Sequence, residues 1–130
     1  MEDRMYSTGI DHHKKFSVLV TMDERGKIVK RGRVNGHDGE ELKNYFKGLG
    51  GKSRVVHEAG WNWDLMHELL EEIDEVEEAI LAHPAKTKII AEAAIKTDEI
   101  DAEKLAMLLR GDFICRVHAP KKKQGNARGF

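Results

Sequence analysis

The sequence has one cysteine, no long apolar run and almost no excess of charge, and each shortage excludes a class of protein. Cys115 alone cannot form an internal disulfide, and a single thiol suits a reducing compartment. No apolar run approaches the roughly 18 to 20 residues that span a bilayer. The opening residues, MEDRMYSTG, lack the apolar core of a signal peptide. These shortages predict a cytoplasmic protein with no membrane contact.

The charge is nearly balanced but unevenly distributed. A net charge of −1 argues against a protein that binds nucleic acid with its whole surface. Between Glu68 and Glu78 there are seven acidic residues and no basic ones, whereas five basic residues and no acidic ones follow from Arg116 to the end. We interpret the acidic stretch as a solvated helix face and turn, and residues 119–130 as a basic tail.

Length and hydrophobic periodicity predict one α/β domain. The 130 residues, 40% of them hydrophobic and 35% charged, suit a single globular core. Alternating apolar residues predict an antiparallel meander of three strands, in STGID, KFSVLVTM and KIVKRGRV. Further strands are predicted at SRVVHEA, VEEAILA and DFICRV. Helices are predicted at GHDGEELKNYFKGLGG, WNWDLMHELLEEI, HPAKTKIIAEAAI and TDEIDAEKLAMLLRG. This order indicates a mixed sheet with alternating helices and parallel strands after the meander.

Two helices and one strand carry more specific expectations. In the second helix, one side should be apolar, formed by Trp61, Leu65, Leu69 and Ile73. In the last helix, Asp98 is a natural N-cap. His57 precedes Glu58 in a strand, so its side chain should face away from that acid and into a packed layer.

Four acidic residues are predicted at the ends of these elements. Asp11 follows Ile10, an apolar residue of the first strand. Glu58 closes a strand expected beside it, and Asp98 and Asp101 are three apart on the last helix. Ligands collect beyond the carboxyl ends of strands in α/β sheets. Clustered carboxylates repel one another unless cations lie between them, and such oxygen ligands suit Mg²⁺ or Mn²⁺. Two such ions about 4 Å apart can support phosphodiester displacement.

Each acid also has an ordinary structural explanation. A lone acid at a strand end is usually a turn residue, Asp98 is an acceptable helix cap, and Asp101 would complement the dipole of the first helical turn. Spacing alone therefore leaves the metal site open.

Four segments in order, covering most of the chain, resemble a known family. They are TGIDHHKKFSVLV, VVHEAGWNWDLMHELLEE, AILAHPAKTKIIAEAAIKTDEIDAEKLAMLLRG and VHAP. Together they resemble the N-terminal domain of DEDD-type transposases of the insertion-sequence one-ten family. The matched positions are Gly9, Ile10, Asp11, His13 and Lys14; Glu58, Ala59, Gly60, Asn62 and Trp63; and Lys96, Asp98, Asp101 and Ala102. His83 stands where the family has asparagine.

The resemblance implies a fold, a site and partners. It implies a ribonuclease H-like, RuvC-type domain over residues 1–118 that takes part in DNA transposition and recombination. It further implies that four acids are catalytic and coordinate Mg²⁺, with Mn²⁺ as a substitute: Asp11, Glu58, Asp98 and Asp101. It also implies that three lysines contact phosphates: Lys14, Lys88 and Lys96. The implied partners are DNA, a non-coding bridge RNA and further copies of the chain, in a dimer or higher oligomer.

The chain departs from the family at its C-terminus. Family members continue through a linker into a second domain that bears a serine, and residues 119–130 would be the start of that linker. We therefore expect an incomplete enzyme. Two alternatives stay open: a non-catalytic module that binds nucleic acid or dimerises, and an actin-like ATPase or sugar kinase. The latter needs a glycine-rich phosphate turn after the acid, and DHHKK contains no glycine.

Overall fold

The computed structural model describes residues 4–60 and 62–119, which form one five-stranded sheet with helices on both faces. The strands are β1 (Met5–His12), β2 (Phe16–Met22), β3 (Ile28–Asn35), β4 (Lys52–Glu58) and β5 (Val76–Ala82). The helices are α1 (Gly39–Lys47), α2 (Trp63–Glu71), α3 (Pro84–Ile95) and α4 (Ala102–Arg110). None of the helices described is long and apolar enough to cross a membrane.

The sheet is mixed, with strand order β3-β2-β1-β4-β5. The first three strands are antiparallel neighbours, whereas β4 runs parallel to β1 and β5 parallel to β4. β1 therefore lies at the centre of the sheet, and its carboxyl end lies beside that of β4. The molecule is a small α/β domain with a five-stranded mixed sheet.

The two faces of the sheet have separate cores, because successive strand residues point to opposite sides. One core packs the sheet against α1 and α2; its members include Ile10, Leu19, Val55, Phe46 and Leu70. The other packs it against α4; its members are Val56, Ile80, Ala82, Leu105 and Leu109. Any strand residue can thus be assigned to the α1/α2 face or the α4 face by counting alternate positions from a core residue of the same strand.

Helix α4 lies unusually close to β1, and Gly9 makes this possible. A Cβ atom at Gly9 would lie 2.6 Å from the Ala106 nitrogen and 2.8 Å from the Leu105 Cβ. At the other end of α4, Arg110 Nη1 donates to the Glu24 carbonyl, 3.2 Å away, in the β2–β3 turn. α4 therefore runs antiparallel to β1, and its N-terminus lies towards the carboxyl end of that strand.

A chain of buried hydroxyl groups joins three central strands to α1. Thr8 Oγ1 lies 2.7 Å from Thr21 Oγ1 and 2.8 Å from Ser53 Oγ, and Thr21 Oγ1 lies 2.8 Å from the Tyr45 hydroxyl. Burial raises the pKa of Tyr45 to about 12, so the phenol stays protonated and able to donate. These bonds fix β1, β2 and β4 relative to one another on the α1/α2 face.

Several expected boundaries were wrong. Helix α4 begins at Ala102 with Asp101 as its N-cap, and Asp98 precedes the helix in an irregular connection. The segment DFICRV forms only a single antiparallel bridge, between Ala82 and Arg116. In the second helix, Leu65 is 45% exposed. The buried residues of the helix are Met66, His67 and Leu70. Of the predicted residues, Ile73 is buried and Leu69 packs against the same core. Trp61 and, from residue 120 onwards, the predicted basic tail lie outside the described residues.

Candidate functional site

The structure brings Asp11 and Glu58 together at the carboxyl ends of adjacent parallel strands. Gly9 pairs with Val56 in the β1–β4 register, and each acid follows its member of that pair by two residues. Because Gly9 and Val56 both contact α4, both acids point to the α4 face. They line one cavity of about 530 Å³ together with Lys14. The strand register alone thus places two predicted ligands side by side.

The two carboxylates disfavour each other's charge. Burial raises the pKa of Glu58, and the negative charge of Asp11 raises it further. On its other side, the Asp11 carboxylate lies 3.1 Å from His13 Nε2, which can balance it only when the imidazole is protonated. A half-buried acid beside a second acid is an arrangement that a divalent cation would stabilise.

Asp101 and Asp98 are placed differently from this pair. Asp101 Oδ1 accepts a hydrogen bond of 2.9 Å from the Lys104 backbone nitrogen, and its Oδ2 lies 3.6 Å from Lys104 Nζ. Its position at the N-terminus of α4 keeps it at the same edge of the sheet as Asp11. Asp98 lines a separate surface cavity, with Glu92 and Lys96. The structure therefore assembles two of the four acids, not all of them.

The donor set fits a hard divalent cation only as a partial site. Within residues 4–60 and 62–119, no group of three or more histidine, cysteine or acidic side chains lies close enough to hold a metal ion. Mg²⁺ commonly keeps several waters and takes one or two carboxylates together with substrate phosphates. Asp11 and Glu58 match that requirement, and their oxygen atoms suit Mg²⁺ or Mn²⁺ better than softer metals.

The three predicted phosphate-binding lysines are also separated. Lys14 is exposed and lines the same cavity as Asp11 and Glu58. Lys88 is exposed on α3, and Lys96 ends that helix in a left-handed conformation, with φ 58°. Only Lys14 is therefore placed to meet a phosphate held at the acid pair.

Behind the acids, on the α1/α2 face, lies a buried histidine pair. His57 is 1% exposed, as expected for a residue facing away from Glu58, and its Nε2 lies 2.8 Å from His67 Nδ1. His67 Nε2 in turn lies 3.6 Å from Glu71. Burial lowers the pKa of His57 to about 3, so the ring is neutral at pH 7. His67 was missed from sequence, although Trp63, His67 and Glu71 follow helical i, i+4 spacing.

A second feature missed from sequence borders the acid pair on its other side. The Arg33 guanidinium carbon lies 3.7 Å from the centre of the Phe16 ring, and the His13 ring stacks on Phe16 at 4.6 Å. His13 also contacts Asp11. The contacts thus run without a break from a cation on β3 to a candidate ligand on β1. Phe16 alternates with core residues along β2, and Arg33 alternates with core residues along β3. This alternation was the sequence signal from which the contact could have been sought.

A larger cavity, of about 620 Å³, lies along the edge strand β5, but its charges are already matched. Arg116 Nη1 lies 2.5 Å from Glu78 Oε2, and Lys52 Nζ lies 3.8 Å from Glu77 Oε1. Glu71 in the same wall contacts His67. Paired charges have less need of a bound cation than the two mutually repelling acids, so we place the candidate site at Asp11 and Glu58.

Among known proteins, solved structures match the chain, whereas family models and curated proteins do not. The chain is similar to the crystal structure of ethanolamine utilization protein EutJ from Carboxydothermus hydrogenoformans, at 15% identity and a TM-score of 0.43. The match covers 68% of this chain and 39% of that one, so the chain corresponds to less than half of EutJ.

The predicted ribonuclease H-like, RuvC-type class is corrected by this finding. EutJ, a solved structure to which the chain is similar, is not a RuvC-type domain, and the chain forms a small α/β domain with a mixed sheet. The physical reason is that periodicity predicts which elements form, whereas several α/β classes share a meander followed by parallel strands. With a TM-score of 0.43, the likeness to EutJ assigns no class in turn.

Proposed function

We propose that this chain is the divalent-metal-binding, acid-bearing domain of a DNA transposase or recombinase. The observation that carries the proposal is the pairing of Asp11 and Glu58 at the carboxyl ends of adjacent strands, where burial and mutual repulsion raise the pKa of Glu58. The resemblance of the surrounding motifs to DEDD-type transposases supplies the reaction class. Perturbed acids in a cleft are a recognised mark of a functional site.

Each residue of the pair has a role in this proposal. Asp11 and Glu58 hold Mg²⁺, or Mn²⁺ in its place, through carboxylate oxygens. The bound cation would stabilise the charge that develops on a phosphodiester during displacement. Lys14, exposed at the rim of the same cavity, holds a phosphate oxygen in place. Asp98, Asp101, Lys88 and Lys96 belong to the proposal through the resemblance.

The partners follow from the same resemblance. DNA is the substrate, a non-coding bridge RNA is the guide, and further copies of the chain complete a dimer or higher oligomer. The cytoplasm is the proposed location. Because the resembling family carries its serine in a further domain, we propose that this domain alone does not complete transposition.

Thermal unfolding with and without Mn²⁺ tests the proposal. The wild-type midpoint should rise by about 10 °C at a Mn²⁺ concentration of roughly 100 times the dissociation constant. Asp11→Asn and Glu58→Gln should abolish that rise and should not lower the metal-free midpoint, because each removes one of two repelling charges. Glu72→Gln, at an exposed acid beyond the end of α2, is the matched control and should respond to Mn²⁺ like the wild type.

A different pattern would favour the non-catalytic alternative. If Mn²⁺ shifts the wild type and the Asp11→Asn, Glu58→Gln and Glu72→Gln variants equally, the pair is not a metal site. Binding of DNA or RNA that survives Asp11→Asn and weakens with salt would then identify a nucleic-acid-binding module without chemistry.

A further inference from the structure

From the charge and packing of the β2–β3 surface, we infer that the α4 face of these strands binds the sugar–phosphate backbone of a polynucleotide and leads it to Asp11 and Glu58. The surface, here called the β2–β3 patch, consists of Phe16, Arg31 and Arg33. This inference rests on the proposed function for its direction towards the acid pair, and it names the residues that hold the strand.

The patch lies on the same side of the sheet as the acid pair. Val34 belongs to the core on the α1/α2 face, so its neighbour Arg33 projects from the opposite, α4 face. Arg31, two residues earlier, confirms that direction because its Nη2 lies 3.3 Å from Glu103 of α4. The register places Arg33 opposite Val18, and Val18 opposite Asp11, so these three residues form one row across the sheet.

The cations of the patch are available to a ligand. Arg33 is exposed, and within the described part of the chain it forms no ion pair with an acidic side chain. Arg31 is partly engaged by Glu103, at an exposed pair that contributes little to stability. An unpaired cation and a weakly paired one beside an acid-lined cavity complement a ligand that is itself a polyanion.

The Phe16 ring fixes the geometry of this patch. Its contact with Arg33, at 3.7 Å, holds the guanidinium against the sheet, and its stacking on His13, at 4.6 Å, joins the patch to the cavity wall. A planar guanidinium on an aromatic ring keeps its N–H groups free to bind phosphate oxygens in pairs. Phosphate groups aligned along this row would bring the next phosphodiester to Asp11 and Glu58.

The ligand is therefore a polynucleotide strand, recognised through its phosphates and not its bases. DNA and RNA share that backbone, so the experiment uses both. The probes are a labelled single-stranded oligothymidylate and an oligouridylate of equal length, and binding is followed by fluorescence anisotropy in EDTA. Without divalent metal, the measurement is independent of the acid pair as a cation site.

The decisive variant removes two patch cations outside the acid cavity. Arg31→Gln with Arg33→Gln should weaken binding of the oligothymidylate at least about tenfold at low salt. It should also reduce the slope of log K against log salt by about 1.4, the value for two lost single-strand contacts. Lys43→Gln with Lys47→Gln removes the same charge from exposed residues of α1, on the opposite face, and should bind like the wild type.

Equal weakening by the two double variants, or none by either, would overturn the inference. A loss confined to one of the two oligomers would support the patch and show which sugar it accommodates. Mn²⁺ stabilisation separates this inference from the proposed function. Patch-dependent binding without any Mn²⁺ effect would support the patch and refute the metal site. A Mn²⁺ effect with no difference between the double variants would support the metal site and refute the patch.

Discussion

At the scale of single residues, the feature that matters most is a carboxylate placed where its charge is unfavourable. Glu58 closes β4, and burial together with the Asp11 charge raises its pKa. An acid in an ordinary turn does not require a second acid beside it, whereas an acid that binds a cation commonly shares that cation with another acid. Glu58 is only partly buried, so water weakens the repulsion without removing it.

The raised pKa predicts how stability depends on pH in the absence of metal. The folded state binds the Glu58 proton more tightly than the unfolded state, whose carboxyl has its ordinary value of 4.5. Wild-type stability should therefore fall, relative to Glu58→Gln, as the pH rises from below 4.5 through the folded pKa to 7. Urea unfolding in EDTA across this range measures the difference between the two proteins.

Glu72→Gln provides the control for that titration. Glu72 is exposed beyond the end of α2 and lies outside the cavity of Asp11 and Glu58, so its variant should follow the wild type over the whole range. A Glu58→Gln protein that becomes less stable than wild type on going from acid to neutral pH would mean that the Glu58 charge is favourable in the fold, contrary to our account.

Individual residues also show how much of the candidate site could be predicted from the sequence. The positions of Asp11 and Glu58 at strand ends were predictable, because apolar alternation marks where each strand stops. Their pairing was an expectation that required β4 to lie beside β1. The contact between Arg33 and Phe16 could not be predicted, since it depends on the register between β2 and β3 and on a side-chain conformation.

At the scale of elements, helix α4 determines where Asp98 and Asp101 lie. It packs against β1 because Gly9 has no side chain, and it begins at Ala102 where that packing begins. Both Asp98 and Asp101 have the chemistry of an N-cap, so the sequence alone could not choose between them. Close contact with β1 selects Asp101, and this leaves Asp98 in the preceding connection.

The choice of cap predicts a difference between two acids that look alike in sequence. Asp101→Ala should destabilise the protein by about 1 kcal/mol, because the Lys104 backbone nitrogen loses its acceptor. Asp98→Ala, which removes no cap, should change stability by less than about 0.5 kcal/mol. Urea unfolding of both variants gives the comparison.

Asp101→Asn is the matched variant for this pair. Asparagine caps helices about as well as aspartate, so it should retain most of the stability although the charge is lost. Should Asp98→Ala cost as much as Asp101→Ala, the helix would begin earlier in solution than at Ala102, and the assignment of the cap would be wrong.

The same scale explains which element predictions were correct in detail. The strand predicted at VEEAILA and the helix predicted at HPAKTKIIAEAAI have the observed bounds of β5 and almost those of α3, because apolar runs and the Pro84 start signal are local. On the apolar side predicted for the second helix, Leu65 is exposed, whereas Leu69 and Ile73 pack against the core. Which side of that helix meets the sheet is decided by tertiary packing and by the buried His57–His67 contact.

At the scale of the whole molecule, the placement of charge separates the candidate site from the rest of the surface. The acids along β5 are matched by Arg116 and Lys52, whereas Asp11 and Glu58 repel each other. The net charge of −1 therefore gives no indication that an acid pair lies next to an exposed basic patch. The mixed sheet was predictable from element order, but the named fold class was not, since different classes share that order.

The most direct test of the account locates a bound cation within the folded chain. In ¹H–¹⁵N NMR spectra, substoichiometric Mn²⁺ broadens amide signals close to the ion. We expect the signals of Asp11, Glu58 and Ala102 to broaden first, and those of Lys43 on the opposite face to stay sharp. Broadening confined to the acidic stretch from Glu68 to Glu78, with Asp11 and Glu58 unaffected, would contradict the central claim that the strand-end pair is a divalent-metal site.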